Sequence, residues 1–592
     1  MKPDPKLSAP DLSRHALSEQ SPSADARFEH ALAECAREPI HVIGAVQPPG
    51  VLLAYHARDL RILAASANAV ELFDAGDMAA LLHQPIEALL DRASLAAVNA
   101  VLARGESGAS QFACAANVGP MGALHDISTH AAGGLVHLEI EPSGLGQALE
   151  GGHAMVSGLD AAAGNGDFLP SIARQVQRIS GYDRVMVYRF LPDYSGEVVA
   201  EALAGGLASY EGLRYPASDI PPQARALYLR NRVRVIADVT AEPQPLMQSP
   251  ELEGPLDMSF DVLRAVSPVH LQYLRNMGVA ASMSISLVVD GRLWGLVACH
   301  HGSPRPVNAR QRTALEMVGR HASMILDAHE LRGSARIDAV RRSHRDALEG
   351  RLHRAAGPEA ASALLPEMLD LVLGSVEADG VAVCLDGGWH VHGATPDGEG
   401  LAHALAWAGT QGHAGAAATA RGADWHPDAQ PDACGLFAVR LGQGSGVWLL
   451  LFRREQRETL RWAGRPDRPF QMDPDGTHIG PRASFEAWEV DVRALSAAWT
   501  GRDFELARRL RMVVERYIPE QPLRGTCGAE DGVRSDSDRS MLRWDAREHA
   551  TRLRRLAELL DGASPERGRL ERLRALLTQM EDELGAMADA LD

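Results

Sequence analysis

Two short stretches decide how this 592-residue sequence is interpreted: PASDIP at residues 216–221 and SPVHLQYLRNMG at residues 267–278. Taken by itself, the Ser218-Asp219 pair is most simply a helix N-cap and turn, because these side chains accept hydrogen bonds from exposed helix N–H groups. His270, in the second stretch, is by itself most simply a hydrogen-bonded core histidine. Their meaning depends on the sequence around them.

The flanking sequence predicts an α/β domain. Apolar residues at helical spacing before Gly181 predict a helix that leads into a strand at Val185–Phe190. Two β-rich runs, Ser282–Val289 and Arg292–Cys299, are separated by Asp290-Gly291. This dipeptide is typical of a type I′ turn, so the two runs are predicted to form a hairpin.

A similar pattern recurs further along the chain. Residues 308–354 contain no proline and have apolar residues at helical spacing, which predicts a long connecting helix, continuous or interrupted. Residues 380–391 then repeat the order of strand, Asp-Gly turn and strand, and residues 435–452 predict two more strands. The charged, proline-rich stretch at 453–488 is too long for an ordinary hairpin loop, and such long loops are usually functional or disordered.

The composition excludes several classes of protein. The 59 Lys and Arg residues against 77 Asp and Glu leave a net charge of −18, which argues against a chain-wide surface for nucleic acid or anionic membrane. No stretch approaches the ~20 apolar residues of a membrane span, and residues 1–26 lack the apolar region of a secretory signal. The six cysteines form no CxxC pair, so a reducing cytoplasm is expected.

No catalytic motif is found in a usable setting, whether P-loop, GxGxxG, HExxH or GxSxG. The two opening stretches closely resemble the bilin-binding GAF domain of phytochromes. The resemblance continues in the same order along the chain, with Cys35 ahead of EPIH at 38–41, Gln47-Pro48, and PRASFE at 481–486. The whole resembles the PAS-GAF-PHY photosensory module of a bacteriophytochrome.

This resemblance implies an α/β (α+β) multidomain fold with antiparallel sheets and long connecting helices. It also implies a figure-of-eight knot, in which the N-terminal segment passes through a loop of the GAF domain. The expected divisions are a leader at 1–26, PAS at 27–164, GAF at 165–330, PHY at 331–518 with its tongue at about 453–488, a linker at 519–540 and a helical hairpin at 541–592.

The implied cofactor is biliverdin, held covalently as a thioether of Cys35. Some family members carry the attachment cysteine immediately before the pocket histidine, but this sequence has Val269 there. A cysteine thiolate is a suitable nucleophile for the vinyl group of the A ring. The expected knot would bring Cys35 to the GAF pocket.

The resemblance also assigns polar residues to the bilin. Arg234 and Arg264 are expected to bind its propionates, since a guanidinium group can engage a carboxylate with two hydrogen bonds. Without the flanking motif, Arg234 would more simply be a solvated residue of a basic run. The supporting hydroxyl groups are expected from Ser267, Ser282 and Ser284.

The remaining pocket residues follow from the same resemblance. Asp219 is expected to face the pyrrole nitrogens with its backbone carbonyl and the tongue residue Arg482 with its carboxylate. His270 and His300 correspond to the two pocket histidines, although His301 is easily confused with His300. Other expected contacts are Met186, Tyr188, Tyr215, Ile220, Pro221, Tyr228 and Tyr273 in the pocket, and Trp462 and Ser484 in the tongue. No catalytic or metal-binding residue is expected.

The C-terminal residues predict dimerisation rather than catalysis. From Leu570 to Leu591, apolar residues alternate spacings of three and four, the pattern of a coiled coil or helical bundle, so a homodimer is expected. Only 52 residues follow Ser540, which leaves no room for the ATP-binding domain of a histidine kinase. His549 is followed by Ala550 where a phosphoacceptor motif has an acid, so a solvated histidine is favoured over a phosphoacceptor.

The expected function is red and far-red light sensing by isomerisation of the bilin, refolding of the tongue and transmission along helices to a dimeric tail. The implied partners are a heme oxygenase as the source of biliverdin and a kinase or response regulator acting in trans. A bilin-binding protein that no longer photoswitches is the alternative.

Overall fold

The computed structural model describes residues 37–104, 109–144, 159–160, 162, 167–385, 388–411, 415–427, 431–441, 447–456, 458–465, 470–472, 479–482 and 484–518. They fall into two compact units. One unit runs to Ala328 and includes Arg461–Glu489, whereas the other comprises His329–Leu460 and the residues from Val490 onward. Both contain helices and mainly antiparallel sheets, as the sequence predicts.

The first domain is a sheet packed against short helices. Its helices are α1 (Ala69–Leu72), α2 (Met78–Leu81) and α3 (Arg92–Leu102), with 3-10 turns at Ile40–Val42 and Ile86–Ala88. Its strands are β1 (Ala45–Val46), β2 (Val51–His56), β3 (Ile62–Ser66), β4 (Gln111–Val118), β5 (Ala123–Ala132) and β6 (Leu135–Pro142). Buried side chains such as Leu53, Val98 and Ile127 form one core between sheet and helices, and burial of such surface is the main stabilising term.

A seventh strand of this sheet comes from the second domain. This strand, β11 (Gln244–Gln248), lies between β1 and β3 and pairs antiparallel with both. Beside it, the backbone N–H of Gln47 donates to Leu263 at 2.7 Å and that of Ala265 donates to Ala45 at 2.8 Å. The segment around Gln47 is therefore hydrogen-bonded to the second domain along much of its length, while the knot itself stays a prediction.

The second domain contains the helices α4 (Phe168–Ser180), α5 (Pro222–Arg230), α6 (Pro268–Asn276) and α7 (Ala309–His353), and a 3-10 turn at Ala217–Asp219. Its other strands are β7 (Arg184–Phe190), β8 (Gly196–Leu203), β9 (Leu213–Tyr215), β10 (Val233–Ile236), β12 (Ala281–Val289) and β13 (Arg292–His301). In the sheet they follow the order β10-β12-β13-β7-β8-β9. The helices α4 and α7 contribute to the main core, for example through Ile172 and Leu315.

The predicted elements of this domain are confirmed. Strands β12 and β13 pair antiparallel around Asp290 and Gly291, whose φ angles of 49° and 68° are those of a type I′ turn. Helix α4 ends at Gly181 in the left-handed conformation, with φ of 65°. Helix α7 is continuous over 45 residues, so the alternative of an interrupted helix is wrong.

The third domain has a five-stranded antiparallel sheet. Its helices are α8 (Pro358–Leu364), α9 (Leu369–Gly374), α10 (Gly398–Thr410) and α11 (Gly501–Tyr517), with 3-10 turns at Leu365–Met368 and Gly422–Asp424. The sheet follows the order β15-β14-β18-β17-β16, where β14 is Gly380–Leu385, β15 is Gly388–Gly393, β16 is Ala416–Thr419, β17 is Gly435–Leu441 and β18 is Val447–Arg453. The predicted pairs β14–β15 and β17–β18 are both present.

Four strands lie in the predicted tongue: β19 (Glu458–Ala463), β20 (Phe470–Met472), β21 (Ile479–Pro481) and β22 (Ala487–Val492). Strand β19 runs parallel to β9, with Trp462 opposite Arg214, and β22 follows β19 at the edge of the second-domain sheet. Strands β20 and β21 pair with each other. Strands β19 and β22 therefore extend the sheet of the second domain, whereas β20 and β21 form a separate two-stranded sheet.

Several predictions concern residues outside those that the structure describes. They are the leader at 1–26, Cys35, the boundary near residue 164, the linker at 519–540 and the C-terminal hairpin with His549. None of the described helices combines the length and the apolar character that a bilayer crossing requires.

Gly196, at the start of β8, lies directly against the ring of Tyr188 on the neighbouring strand. A Cβ atom at residue 196 would overlap the Tyr188 ring, so Gly196→Ala must displace it. We expect this substitution to lower the free energy of unfolding by about 1–3 kcal/mol, as overpacking of a core usually does. Urea denaturation of the purified protein measures the change.

Gly205→Ala is the matched control, because a Cβ atom at residue 205 would have no heavy atom within 4 Å. Its effect should stay within about 0.5 kcal/mol, as for surface substitutions in general. Equal effects of the two substitutions would contradict the role assigned to the contact between Gly196 and Tyr188.

Candidate functional site

The second domain contains a cavity with a volume of about 220 Å³. It lies between α5, α6 and the strands of the sheet, because those elements carry its lining residues. All fifteen pocket residues expected from the sequence line it: Met186, Tyr188, Tyr215, Asp219, Ile220, Pro221, Tyr228, Arg234, Arg264, Ser267, His270, Tyr273, Ser282, Ser284 and His300. The structure thus brings the predicted residues together around one space.

The arginine side of the cavity is formed by Arg234 and Arg264. The guanidinium group of Arg234 donates to the backbone carbonyls of Val262 and Ala265, both at 2.9 Å, and that of Arg264 donates to the carbonyl of Ile40. Arg234 is therefore held inside the fold, and the alternative of a solvated surface residue is wrong.

Two guanidinium groups lie beside one cavity, and the hydrogen bonds described above take both of them to backbone carbonyls. Burial, reinforced by the charge of Arg264, lowers the pKa of Arg234 to about 9, so that it stays protonated near neutral pH. The pKa of Arg264 is also lowered by burial. Nearby, the Ser267 hydroxyl donates to Glu38 at 2.9 Å, which brings the N-terminal segment to the cavity. Such a site favours an anionic ligand.

The two pocket histidines are held neutral. Burial, with the charge of Arg234, lowers the pKa of His270 to about 4, and burial lowers that of His300 to about 3. His301 differs from its neighbour, since its Nδ1 lies 2.8 Å from the carboxylate of Asp183 and it does not line the cavity. The choice of His300 over His301 as the residue facing the cavity therefore agrees with the geometry.

Aromatic side chains form another part of the cavity wall. The rings of Tyr188 and Tyr215 meet edge to face with centroids 5.9 Å apart, and Met186 packs in the same buried cluster. Burial raises the pKa values of both tyrosines, so their hydroxyl groups stay protonated. This wall combines apolar surface with hydroxyl groups that can donate hydrogen bonds.

Asp219 and Arg482 form a buried ion pair, with side chains that are 5% and 3% exposed. The same carboxylate oxygen of Asp219 accepts a hydrogen bond from the Tyr273 hydroxyl at 2.8 Å. The side chain of Pro221, not that of Asp219, stands at the N-cap position of α5, so the N-cap interpretation of the Ser218-Asp219 pair is wrong. The predicted contact between the cavity and the tongue is present.

The tongue makes further contacts beside this pair. The Asn276 side chain donates to the backbone carbonyl of Arg482 at 3.0 Å, and the rings of Phe485 and Tyr273 meet edge to face with centroids 5.1 Å apart. The predicted tongue residues Trp462 and Ser484 do not line the cavity. Their part in binding stays a prediction.

Sequence reasoning missed some of these residues. Asn276 lies in the stretch at 267–278 and Phe485 in the stretch at 481–486, but their residue types do not predict that Asn276 contacts Arg482 or that Phe485 contacts Tyr273. In the sequence, Gln47 stands out only as part of the Gln47-Pro48 motif. In the structure, its side chain donates to the carbonyls of Val235 and Arg264 at 3.0 and 3.2 Å. No local sequence pattern reveals such long-range contacts.

Comparisons with known proteins agree with this geometry. Family models match residues 35–143 as a PAS fold, 166–326 as a GAF domain and 343–521 as the phytochrome region. A bacteriophytochrome of Xanthomonas campestris pv. campestris is 36% identical over 514 residues, which cover 81% of this chain and 78% of that protein. The chain belongs to the phytochrome family.

Other phytochromes align over a similar extent. The bacteriophytochrome of Pseudomonas aeruginosa is 34% identical, and the alignment covers 81% of this chain but only 66% of that protein. The crystal structure of a bacteriophytochrome from R. palustris superposes with a TM-score of 0.67 at 34% identity, covering 83% of this chain and 99% of that one. The Stigmatella aurantiaca phytochrome photosensory core module gives a TM-score of 0.66 at 32% identity.

The family implies a bilin chromophore, and the residues present fit one. Four buried polar atoms of cavity residues have no hydrogen-bond partner among the described residues, namely Tyr215 Oη, Ser218 Oγ, Arg264 Nε and His300 Nδ1. Buried polar groups are normally paired, so these atoms suit a ligand with carboxylates, carbonyls and N–H groups. A bilin has all three, and the two arginines supply the matching charge.

The acidity of Asp219 provides a test of the ion pair. Burial raises its pKa from 3.8 to about 6, although Arg482 and the Tyr273 hydroxyl act in the opposite direction. Because the folded pKa is the higher one, this group favours the folded state at low pH, and that contribution is lost as the pH rises through about 6. We expect a protonated-carboxyl infrared band that disappears with a midpoint near pH 6 and is absent in Asp219→Asn.

Arg482→Ala should move this midpoint to higher pH, because it removes the positive charge that favours the carboxylate. Arg465→Ala removes an exposed tongue arginine that lies over Trp488, and serves as the matched control. An unchanged midpoint in Arg482→Ala, or equal shifts in the two arginine variants, would contradict the assigned ion pair.

Proposed function

We propose that this phytochrome is a red and far-red light photoreceptor that binds biliverdin covalently through Cys35. One observation carries the proposal: a single cavity combines two buried arginines, two neutral histidines and a buried carboxylate paired with the tongue. Cations, uncharged donors and an aromatic wall together match the chemistry of a tetrapyrrole with two propionates.

The propionates would be held by Arg234 and Arg264. Both side chains line the cavity and donate to backbone carbonyls, so a carboxylate in the cavity would supply a negatively charged acceptor. The hydroxyl groups of Ser267, Ser282 and Ser284 are close enough in the fold to add hydrogen bonds, since all three also line the cavity.

The pyrrole nitrogens would be met by the backbone carbonyl of Asp219 and by His270. A histidine that stays neutral can accept a hydrogen bond at one ring nitrogen and donate at the other. His300, with an unpaired Nδ1, would bind the D-ring carbonyl near the wall formed by Tyr188 and Met186. These residues orient the pigment and leave its D ring against packed aromatic surface.

Cys35 lies outside the described residues, but chain length supports its role. Glu38 lines the cavity, and Cys35 is three residues before it. Three extended residues span at most about 11 Å, so the Cys35 backbone is confined to that distance from a cavity-lining residue. Val269 occupies the alternative attachment position before His270 and also lines the cavity.

Signal output would start at the ion pair between Asp219 and Arg482. When bound, a bilin absorbs red light and isomerises about a methine bridge. Tyr188 and Tyr215 lie beside this pair, since the Arg482 guanidinium is 5.6 Å from the Tyr215 ring and Tyr188 contacts Tyr215. A shift of these rings changes the surroundings of Arg482, and refolding of the tongue would follow as one of two stable arrangements.

We further propose a homodimer that works with a kinase or response regulator in trans. Along α7, the side chains of Met317, Met324 and Leu331 are exposed at intervals of seven residues, which places them on one helix face. A second copy with the same stripe could cover them symmetrically. A cytoplasmic location, with biliverdin from a heme oxygenase, completes the proposal. A monomeric mass by light scattering at micromolar concentration would contradict the dimer.

The absorption spectrum tests the function directly. The protein is produced with a source of biliverdin and measured in darkness, after red light and after far-red light. We expect reversible exchange between a red and a far-red band. Bound pigment with a spectrum that light does not change would instead favour a protein that no longer photoswitches, and absence of bound pigment would overturn the assigned cofactor.

The covalent attachment has its own test. We expect Cys35→Ala to bind pigment without a thioether bond, so that zinc-induced fluorescence disappears from the protein band on a denaturing gel. Cys114→Ala is the control, because Cys114 is a free cysteine of the first domain and does not line the cavity. Its fluorescence should persist. A covalent adduct in Cys35→Ala would show that another residue is attached.

The coupling step is tested by Arg482→Ala. Loss of one partner of a buried ion pair commonly costs several kcal/mol, and each 1.4 kcal/mol corresponds to about tenfold in a rate. We therefore expect photoproduct yield or its thermal lifetime to change by about tenfold or more. Arg465→Ala should leave both quantities near their original values. Unchanged spectra and dark reversion in Arg482→Ala would refute the proposed coupling.

A further inference from the structure

A second cluster of polar side chains lies in the same compact unit, away from the cavity. His130 on β5 and His137 on β6 are directly opposite each other in the sheet, and their ring centroids are 4.5 Å apart. Asp261, in the connection between β11 and α6, completes the cluster. None of the three lines the cavity that holds the predicted bilin residues.

The three side chains converge closely. His137 Nδ1 lies 3.1 Å from each carboxylate oxygen of Asp261, and His130 Nε2 lies 3.8 Å from one of them. One potential ligand atom from each residue falls within 4.8 Å of the other two. The side chains of His130 and Asp261 are 1% and 0% exposed, so solvent does not separate them.

His130 supplies an independent reason to look for a ligand. Neither of its ring nitrogens has a hydrogen-bond partner among the residues that the structure describes. An unpaired imidazole in a buried position loses the hydrogen bonds that it makes in water, which destabilises the fold unless a ligand replaces them. One ring nitrogen of His137, in contrast, is hydrogen-bonded to Asp261. This hydrogen bond does not provide a partner for either nitrogen of His130.

We propose that His130, His137 and Asp261 form a binding site for a divalent transition-metal ion such as Zn²⁺. Two imidazoles and one carboxylate are a ligand set common to zinc and non-haem iron sites, whereas Mg²⁺ prefers oxygen ligands only. A metal ion with ligand distances near 2.0–2.2 Å needs its ligand atoms to lie roughly 3.5 Å apart. The Asp261 carboxylate already lies 3.1 Å from His137 Nδ1 and 3.8 Å from His130 Nε2.

The surrounding residues support a structural rather than a catalytic ion. Glu139, two residues from His137 on β6, accepts a hydrogen bond from the backbone N–H of Leu263 at 2.6 Å. Leu263 lies two residues after Asp261 and directly before Arg264, which lines the cavity. The ion would therefore fasten two strands of the first domain to the segment of the second domain that positions Arg264.

The test uses the full chain with its pigment, stripped of metal by a chelator and dialysed. Isothermal titration with Zn²⁺, followed by elemental analysis after gel filtration, measures affinity and stoichiometry. We expect one Zn²⁺ per chain, no competition by excess Mg²⁺, and a rise in the thermal unfolding midpoint when Zn²⁺ saturates the site. His130→Gln and Asp261→Asn should each weaken Zn²⁺ binding by at least about tenfold.

His403→Gln is the matched control. His403 and His426 have ring centroids 4.6 Å apart, much like the proposed pair, but they belong to no group of three metal-ligating side chains in the described part of the chain. Zn²⁺ that binds the pigment or surface groups is unaffected by any of these substitutions. Zinc X-ray absorption of the unmodified protein gives a readout that does not depend on how the variants fold.

The proposal stands if His130→Gln and Asp261→Asn weaken Zn²⁺ binding and His403→Gln does not. The zinc X-ray absorption spectrum must also show two imidazole ligands. It is overturned if Zn²⁺ binds below stoichiometry, or equally well to His130→Gln and the unmodified protein. It is also overturned if the zinc surroundings contain no imidazole. The pigment spectrum serves as a separate check, so failure of the metal site leaves the proposed light sensing untouched.

Discussion

The buried ion pair between Asp219 and Arg482 is the constraint on which the arrangement of this phytochrome's cavity and tongue depends. Removing two charges from water is expensive, and their attraction offsets that cost only when other hydrogen bonds complete the geometry. Asp219 has this support from the Tyr273 hydroxyl, but Arg482 Nε and Nη1 have no hydrogen-bond partner in the described part of the chain. The ion pair is therefore incompletely satisfied, and a partly satisfied polar network in a buried position is costly.

The cavity itself is incomplete without a ligand. Arg234 and Arg264 place two positive charges side by side, and the low pKa of each pocket histidine excludes a further charge. A bound anion would remove the mutual repulsion of the arginines and pair the unpaired polar atoms around it. Because anything that binds only the folded state stabilises it, pigment binding and stability are linked in such a fold.

The sequence predicts those features that depend on local chemistry. Asp290-Gly291 identifies the hairpin of β12 and β13 because few residues adopt positive φ, and the cavity residues follow from the resemblance to phytochromes. The sequence does not predict contacts that only the folded chain creates. His137 and Asp261 are 124 residues apart, and His130 looks like any strand histidine until the sheet places it opposite His137.

These long-range contacts share one location, which explains why they matter together. Strand β11 joins β1 and β3, the Gln47 side chain donates to Val235 and Arg264, and Asp261 reaches His137 of the first domain. Each contact fixes the segment that carries Arg264 against the first domain. Since Arg264 lines the cavity, the position of this cation is set by residues that do not themselves line the cavity.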